Sequence, residues 1–203
     1  MGFYSHHILP RLLDLSMRNK EAARLRAAWL PHARGEVLEV GMGSGLNLPF
    51  YGSQVRKVYA LDPSPELQSM ARQRVAGPIK VEFLLQSAEE PLPLPDSSMD
   101  TVVITWTLCS IVNAPQALQQ MRRALKPGGQ MIFLEHGRAP DPGVMAWQDR
   151  LTPAWKRVTG GCHLNRKIDH LIISAGFQIT ELKMGYMPGP RPMTYTYQGF
   201  ARP

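Results

Sequence analysis

Short apolar runs alternate with stretches of helical periodicity along most of this chain, the pattern expected of a parallel, doubly wound sheet. Runs near 36–41, 56–61, 79–84, 99–105 and 129–135 read as strands, and a final pair lies near 177–184 and 193–201. The gaps read as helices. The clearest spans 64–76, with Ser64 of Asp62-Pro63-Ser64-Pro65 as its cap. Another spans 114–125, where Leu118, Met121 and Leu125 line one face before Lys126-Pro127-Gly128-Gly129 stops it. Residues 5–33 predict one or two amphipathic helices bounded by Pro10 and Pro31, with Ile8, Leu12, Leu13 and Leu15, then Leu25, Trp29 and Leu30, as apolar positions. Such helices either pack on the sheet edge or serve as a lid or membrane-lying segment.

Composition narrows the picture. At 203 residues the chain suits one α/β domain (1–203). Within it, N-terminal helices (1–35) and an insert (138–166) are expected to roof an active site. Cys109 and Cys162 are too few for a disulfide framework, and no stretch of 18 or more apolar residues or charged-then-apolar leader occurs, so a cytoplasmic, reducing setting is expected. Met1-Gly2 could begin an acylation signal, but His6 stands where Ser or Thr is needed. The net charge of +7 is uneven, with +3 over residues 1–36, −1 over 37–137 and +5 over 138–203. Basic flanks around a neutral centre suit an anionic substrate, a thiolate or an acidic membrane surface, or form a solvated face. Nothing interleaves aromatic with basic residues, so nucleic acid is not expected as a partner.

The run Val37-Leu38-Glu39-Val40 ends at Gly41, Gly43 and Gly45, and Asp62 lies 21 positions beyond the first glycine. Glycines let backbone approach a ligand closely, and an acid ending the next strand can accept both hydroxyls of a ribose. A dinucleotide fingerprint would need its third glycine at position 46, which is Leu46. The spacing (D/E)xGxGxG instead resembles motif I of the class I S-adenosylmethionine-dependent methyltransferases. That resemblance implies a Rossmann-like, seven-stranded sheet, parallel except for one antiparallel strand from the C-terminal hairpin. It also implies S-adenosyl-L-methionine as cofactor, with S-adenosyl-L-homocysteine as product. The methionine end would lie over Gly41–Gly45 with Glu39 organising its ammonium directly or through water and Asn47 among the cofactor-binding residues. Asp62 and Pro63 would meet the ribose, and Ser87, Ala88 and Glu89 the adenine, Ser87 replacing the usual acid.

The carboxyl ends of parallel strands face the ligand crevice, so Thr105 and Trp106, ending the fourth strand, should border cofactor and acceptor; Trp106 is equally readable as a packing residue. Cys109 reads as a small buried hydrophobe rather than a nucleophile. Glu135-His136 ends the fifth strand. Either His136 takes or holds a proton near neutral pH, or the pair holds loops together. No metal site is read from the sequence.

Leu108-Cys109-Ser110, Glu135-His136, Pro153-x-Trp155-Lys156, Gly161-Cys162-x-Leu164-x-Arg166 and Ala175-Gly176-Phe177 follow in an order and spacing similar to the methyltransferase-like protein seven family of thiol S-methyltransferases. The likeness covers roughly residues 35–185. It implies a small-molecule acceptor, a thiol or hydrogen sulfide, with Lys156, Arg166 or His136 keeping the thiol ionised unless these are surface charges. Gly160 and Asn165 depart from the family's Asp and Thr, and its N-terminal hydrophobic anchor is not seen. Phospholipid N-methyltransferases and quinone-ring C-methyltransferases share the glycine loop but fit residues 153–166 less well. That leaves N-, O- or C-methylation of an amphiphile, with peripheral membrane contact, as the alternative enzyme. A cofactor-binding module without turnover is the non-enzyme alternative.

Overall fold

The computed structural model describes residues 4–203; Met1-Gly2 and the first residues of the expected roof lie outside them. The elements run α1 (Leu9–Ser16), α2 (Lys20–Trp29), β1 (Gly35–Val40), β2 (Val55–Leu61), α3 (Pro65–Arg72), β3 (Lys80–Leu84), β4 (Met99–Thr105) and α4 (Ala114–Ala124). Then come β5 (Leu125–His136), α5 (Pro142–Val158), α6 (Ile168–Ser174), β6 (Gln178–Tyr186), α7 (Arg191–Thr194) and β7 (Tyr195–Arg202). The seven strands form one sheet ordered β3-β2-β1-β4-β5-β7-β6. β1 to β5 pair in parallel, and β7 runs antiparallel to both β5 and β6. This is the expected α/β class, with β7 as the antiparallel strand.

The central strands are apolar at consecutive positions because both faces of the sheet are covered. Side chains alternate between two cores, as strand geometry requires. Leu38, Val102, Ile104, Met131 and Phe133 pack on one face with Leu118 and Met121 of α4 and Ile168 and Ile172 of α6. Val37, Val103, Ile132 and Leu134 pack on the other with Leu25 and Trp29 of α2 and Ala71 of α3. The strand order reverses between β1 and β4, so a crevice opens at their carboxyl ends.

Element ends depart from the pattern for local reasons. α3 stops at Arg72 rather than near 76, since Arg74 and Val75 turn back only three residues, to Ala71 and Arg72, and Gly77 takes φ +81 before Pro78. β5 begins at Leu125, which pairs with Met99 ahead of a register shift, so Lys126-Pro127-Gly128-Gly129 lies within extended chain. Pro10 does not bound a helix. It sits in the first turn of α1, where its missing N–H costs nothing. Residues 191–194 form the short α7, which delays β7 to Tyr195. The 138–166 segment contains the 17-residue α5 with Pro153 inside it, a position that argues against a helix in sequence.

At the opposite end of the sheet, Asp100 accepts the Glu36 N–H (2.8 Å) and pairs with Lys126 (2.6 Å) and Arg56 (3.2 Å). Burial pushes its carboxyl up, but these partners outweigh it and hold the pKa below the usual range. A lowered folded pKa stabilises above the unfolded value of about 3.9 and loses that contribution as pH falls through the folded one. Asp100→Ala should therefore cost on the order of 1–2 kcal/mol in urea melts at pH 7, and the gap from the native chain should close below about pH 4.

Candidate active site

A cavity of about 870 Å³ opens at the carboxyl ends of the central strands, within the ~300–1,000 Å³ usual for small-ligand sites. Its floor begins at the turn after β1. Gly41, Gly43 and Gly45 all take positive φ (+70, +59 and +81), but they do different work. A Cβ on Gly41 would lie 2.2 Å from the Thr107 side chain, and one on Gly45 would press on Ala71 of α3 at 3.1 Å, so both serve close packing. At Gly43, which lines the cavity, a Cβ would meet no atom of the described residues within 4 Å, so its backbone is open to a ligand.

Asp62, just past β2, lines the same cavity. Its two carboxylate oxygens accept the Gly43 and Ser64 N–H groups at 2.8 and 2.9 Å, which fixes both the loop and the acid. Burial pushes its pKa up against those donors. Gly41, Asn47, Pro63, Ser87, Ala88 and Glu89 also line the space, as do Thr105, Trp106 and His136. The Glu89 carboxylate is committed to the Val112 and Asn113 N–H groups at the start of α4.

Three of the expected site residues do not line the cavity. Glu39 does not reach the cavity: it is 1 % exposed, and its oxygens accept from Asn47 Nδ2 (2.8 Å) and Tyr51 Oη (2.7 Å). Burial pushes its pKa to about 7. It acts by aiming Asn47, which also donates to Thr105 Oγ1 (3.0 Å) and accepts from Arg26 Nε (2.8 Å). Gly45 lies behind the loop, as above. Lys156 points outward from α5 and is exposed, whereas Trp155, its neighbour, lines the cavity. Arg26 and Tyr51 carried no sequence signal.

Beyond β4 the chain turns sharply at Trp106, φ +49, whose N–H reaches Leu134 O at 2.7 Å. Glu135, fully buried, accepts the next three N–H groups, those of Thr107, Leu108 and Cys109, at 2.7, 2.9 and 3.3 Å. The pair Glu135-His136 is thereby divided: Glu135 holds a loop and His136 faces the cavity. Arg166 donates to Leu108 O and Ile111 O (2.5 and 2.6 Å), and the His163 N–H donates to Cys109 O (2.9 Å), tying residues 162–166 to that turn. Arg166 is thus engaged with carbonyls. The outcome is a buried trio lining the cavity: Cys162 Sγ lies 3.4 Å from Cys109 Sγ and 3.3 Å from His136 Nε2. The hydrogen bond from Cys109 and, against burial, the contact with His136 pull the Cys162 thiol down to about 4. Burial lowers the His136 pKa, yet Cys162 and Glu135 outweigh it and the net shift is upward.

Residues 38–133 match the Methyltransferase domain family. Thiol S-methyltransferase TMT1B of Rattus norvegicus is 36% identical over 158 residues, 76% of this chain and 64% of that protein; this chain thus answers to somewhat under two thirds of it. Thiol S-methyltransferase TMT1A of Homo sapiens is 32% identical over 82% of this chain and 71% of its own length. Phosphatidylethanolamine N-methyltransferase of Cereibacter sphaeroides is 31% identical over 79% of each. An S-adenosylmethionine-dependent methyltransferase from Mesorhizobium loti superposes with a TM-score of 0.66 at 19% identity, covering 92% of this chain and 99% of that one, and supports the fold. The chain belongs to the class I S-adenosylmethionine-dependent methyltransferases. Within that class it is similar to the thiol S-methyltransferases named above.

The glycines separate packing from binding. Gly41→Ala meets both Thr107 and a left-handed backbone, and should cost about 2 kcal/mol or more in urea melts. Gly43→Ala should cost only about 1 kcal/mol, for its backbone alone, yet weaken S-adenosylhomocysteine binding in calorimetric titration at least as strongly.

Proposed function

We propose that this protein transfers a methyl group from S-adenosylmethionine to the sulfur of a small thiol or hydrogen sulfide. The observation that carries the reading is the wall built from Trp106, Cys109, His136 and Cys162, with Trp155 beside it. An ammonium or amine acceptor would call for a free carboxylate. The acidic residues lining the cavity, Asp14, Asp62 and Glu89, are instead committed to Ser44 and Arg74, to the Gly43 and Ser64 amides, and to the start of α4. A soft, apolar, sulfur-lined wall suits a thiol.

S-adenosylmethionine, when bound, supplies an electrophilic sulfonium methyl. Gly43, Asp62, Ser87 and Ala88 hold the nucleoside. Trp106 and Trp155 exclude water, which favours a reaction in which charge is neutralised. His136, whose Nε2 meets Cys162 Sγ at 3.3 Å and whose pKa that contact helps to raise, keeps an acceptor thiol with an ordinary pKa of about 8.5 ionised through its own positive charge. Orientation provides most of the acceleration. The similarity to the mammalian thiol S-methyltransferases supports the same acceptor class.

A second reading, methylation of an amphiphile at a membrane surface, is favoured by Ile8, Leu12 and Leu15, exposed at the mouth where Leu9 and Leu13 line the cavity. The similarity to a phosphatidylethanolamine N-methyltransferase points the same way. Among the described residues no helix is long and apolar enough to cross a membrane.

Methyl transfer should be measured side by side on hydrosulfide, an alkyl thiol and phosphatidylethanolamine vesicles, at two ionic strengths. The thiols should be turned over with little salt dependence. Methylated lipid without methylated thiol would establish the second reading, and binding without product on any acceptor would mean a non-catalytic module. His136→Ala should keep S-adenosylhomocysteine affinity and lose roughly 100-fold or more in turnover.

A further inference from the structure

The sulfur and imidazole trio does more than line a pocket. Cys109, His136 and Cys162 come from three separate segments, and one donor atom from each lies within 4.8 Å of the others. Two of the edges are 3.4 Å between the two sulfurs and 3.3 Å from Cys162 Sγ to His136 Nε2. A tetrahedral zinc ion with Zn–S of about 2.3 Å and Zn–N of about 2.0–2.1 Å spans edges of roughly 3.8 Å and 3.5 Å. Along those two edges the donors would part by only about half an ångström or less to admit the ion, and the third, from Cys109 to His136, is within 4.8 Å. Two thiolates and an imidazole form a borderline-soft set suited to Zn²⁺ rather than to magnesium or calcium.

The frame is already rigid. The Cys109 N–H is held by Glu135, and the Cys109 carbonyl receives the His163 N–H beside Cys162. Trp155 Nε1 is buried without a hydrogen-bond partner among the described residues. A metal-bound thiolate at Cys162 gives that donor its acceptor. The charges also close: two thiolates cancel Zn²⁺, and buried Glu135 is offset by half-buried Arg166, which lies within electrostatic reach of both cysteines. All three donors line the cavity, so a fourth coordination position faces the acceptor space. Three protein ligands with one open position is the arrangement of catalytic rather than structural zinc.

We propose that Cys109, His136 and Cys162 bind one Zn²⁺ whose open position takes the acceptor sulfur as a thiolate. The metal site stands on geometry alone, while the occupant of its fourth position rests on the thiol reading above. Binding the ion expels any proton still carried by Cys109 or Cys162, and the incoming thiol releases its own proton to water. No electrons move. With the ion bound His136 is a ligand, and activation of the acceptor passes from the imidazole to the metal.

The test uses the whole chain, reduced and stripped of metal, with Co²⁺ as a visible probe and Zn²⁺ in competition against a chromogenic chelator. The expected result is a tetrahedral cobalt–thiolate spectrum, displaced by one equivalent of Zn²⁺. Affinity should fall at least about 100-fold in Cys162→Ser and in Cys109→Ser. Retained S-adenosylhomocysteine binding verifies that each variant is folded, and Ser110→Ala, beside the trio, should keep the spectrum as a second control. Hydrosulfide should shift the cobalt bands. No metal uptake by the reduced chain, or a spectrum unchanged in both cysteine variants, overturns the site. A cobalt spectrum that hydrosulfide leaves unaltered overturns the fourth-position assignment and leaves the metal site standing. Methylation of thiols by chain proven metal-free would refute the metal's part in activation while the thiol reading survives.

Discussion

The acceptor side of this molecule depends on one buried carboxylate. Glu135 accepts three consecutive N–H groups of the turn after β4, and burial raises its pKa to about 7 even so. Without those acceptances three donors would stand unpaired in the interior, each at a cost of about 1–3 kcal/mol. The turn they hold includes Trp106 in left-handed backbone, a conformation an L side chain adopts at a penalty of roughly 1–2 kcal/mol. Strain and satisfaction are therefore coupled. The same carboxylate that stabilises the turn sets where Trp106 and Cys109 face, and its chain neighbour is His136.

A second carboxylate, Glu39, does the corresponding work on the cofactor side through Asn47 and Tyr51. Arg26 joins the two halves. Its Nε donates to Asn47, and its guanidinium lies 5.0 Å from the centre of the Trp106 ring. Burial lowers its pKa to about 10 while Glu39 pulls it back, so it stays charged where it is needed. Asp14 of α1 adds a tether from above, accepting from Ser44 Oγ at 2.6 Å and pairing with Arg74 at 2.9 Å. Positive groups thus reach the glycine loop from α2, through Arg26, and from the turn after α3, through Arg74, and Arg26 accounts for part of the basic excess in the first segment.

What sequence could convey follows from range. Strands covered on both faces announce themselves by consecutive apolar residues, and the interval from Gly41 to Asp62 is fixed by one strand, one turn and one further strand, so both were legible. Ser64 as cap was legible because capping is local: its Oγ accepts the Leu67 N–H. Glu39 stands two residues before the first glycine, where a carboxylate reads as aimed at the ligand, whereas its strand position sends it underneath, against Asn47. Lys156 and Trp155 are adjacent on α5, and only tertiary packing decides which one turns inward. The trio of Cys109, His136 and Cys162 lay beyond reach for the same reason, with 26 and 53 residues separating Cys162 from its partners.

The position of β7 has a consequence for biosynthesis. Glu135 and His136 pair with Tyr197 and Thr196, and the Gly137 N–H reaches Tyr195 O, so β5 acquires its second neighbour only from chain synthesised well after it. The nucleotide-holding half, built from β1 to β4, is complete in a nascent polypeptide long before that. Until β7 docks, β5 is an open sheet edge with Phe133 and Leu134 uncovered on one side, the kind of surface chaperones engage. Translational stalling or proteolytic trimming near residue 195 would therefore leave a species able to cradle a nucleoside but lacking a formed acceptor wall.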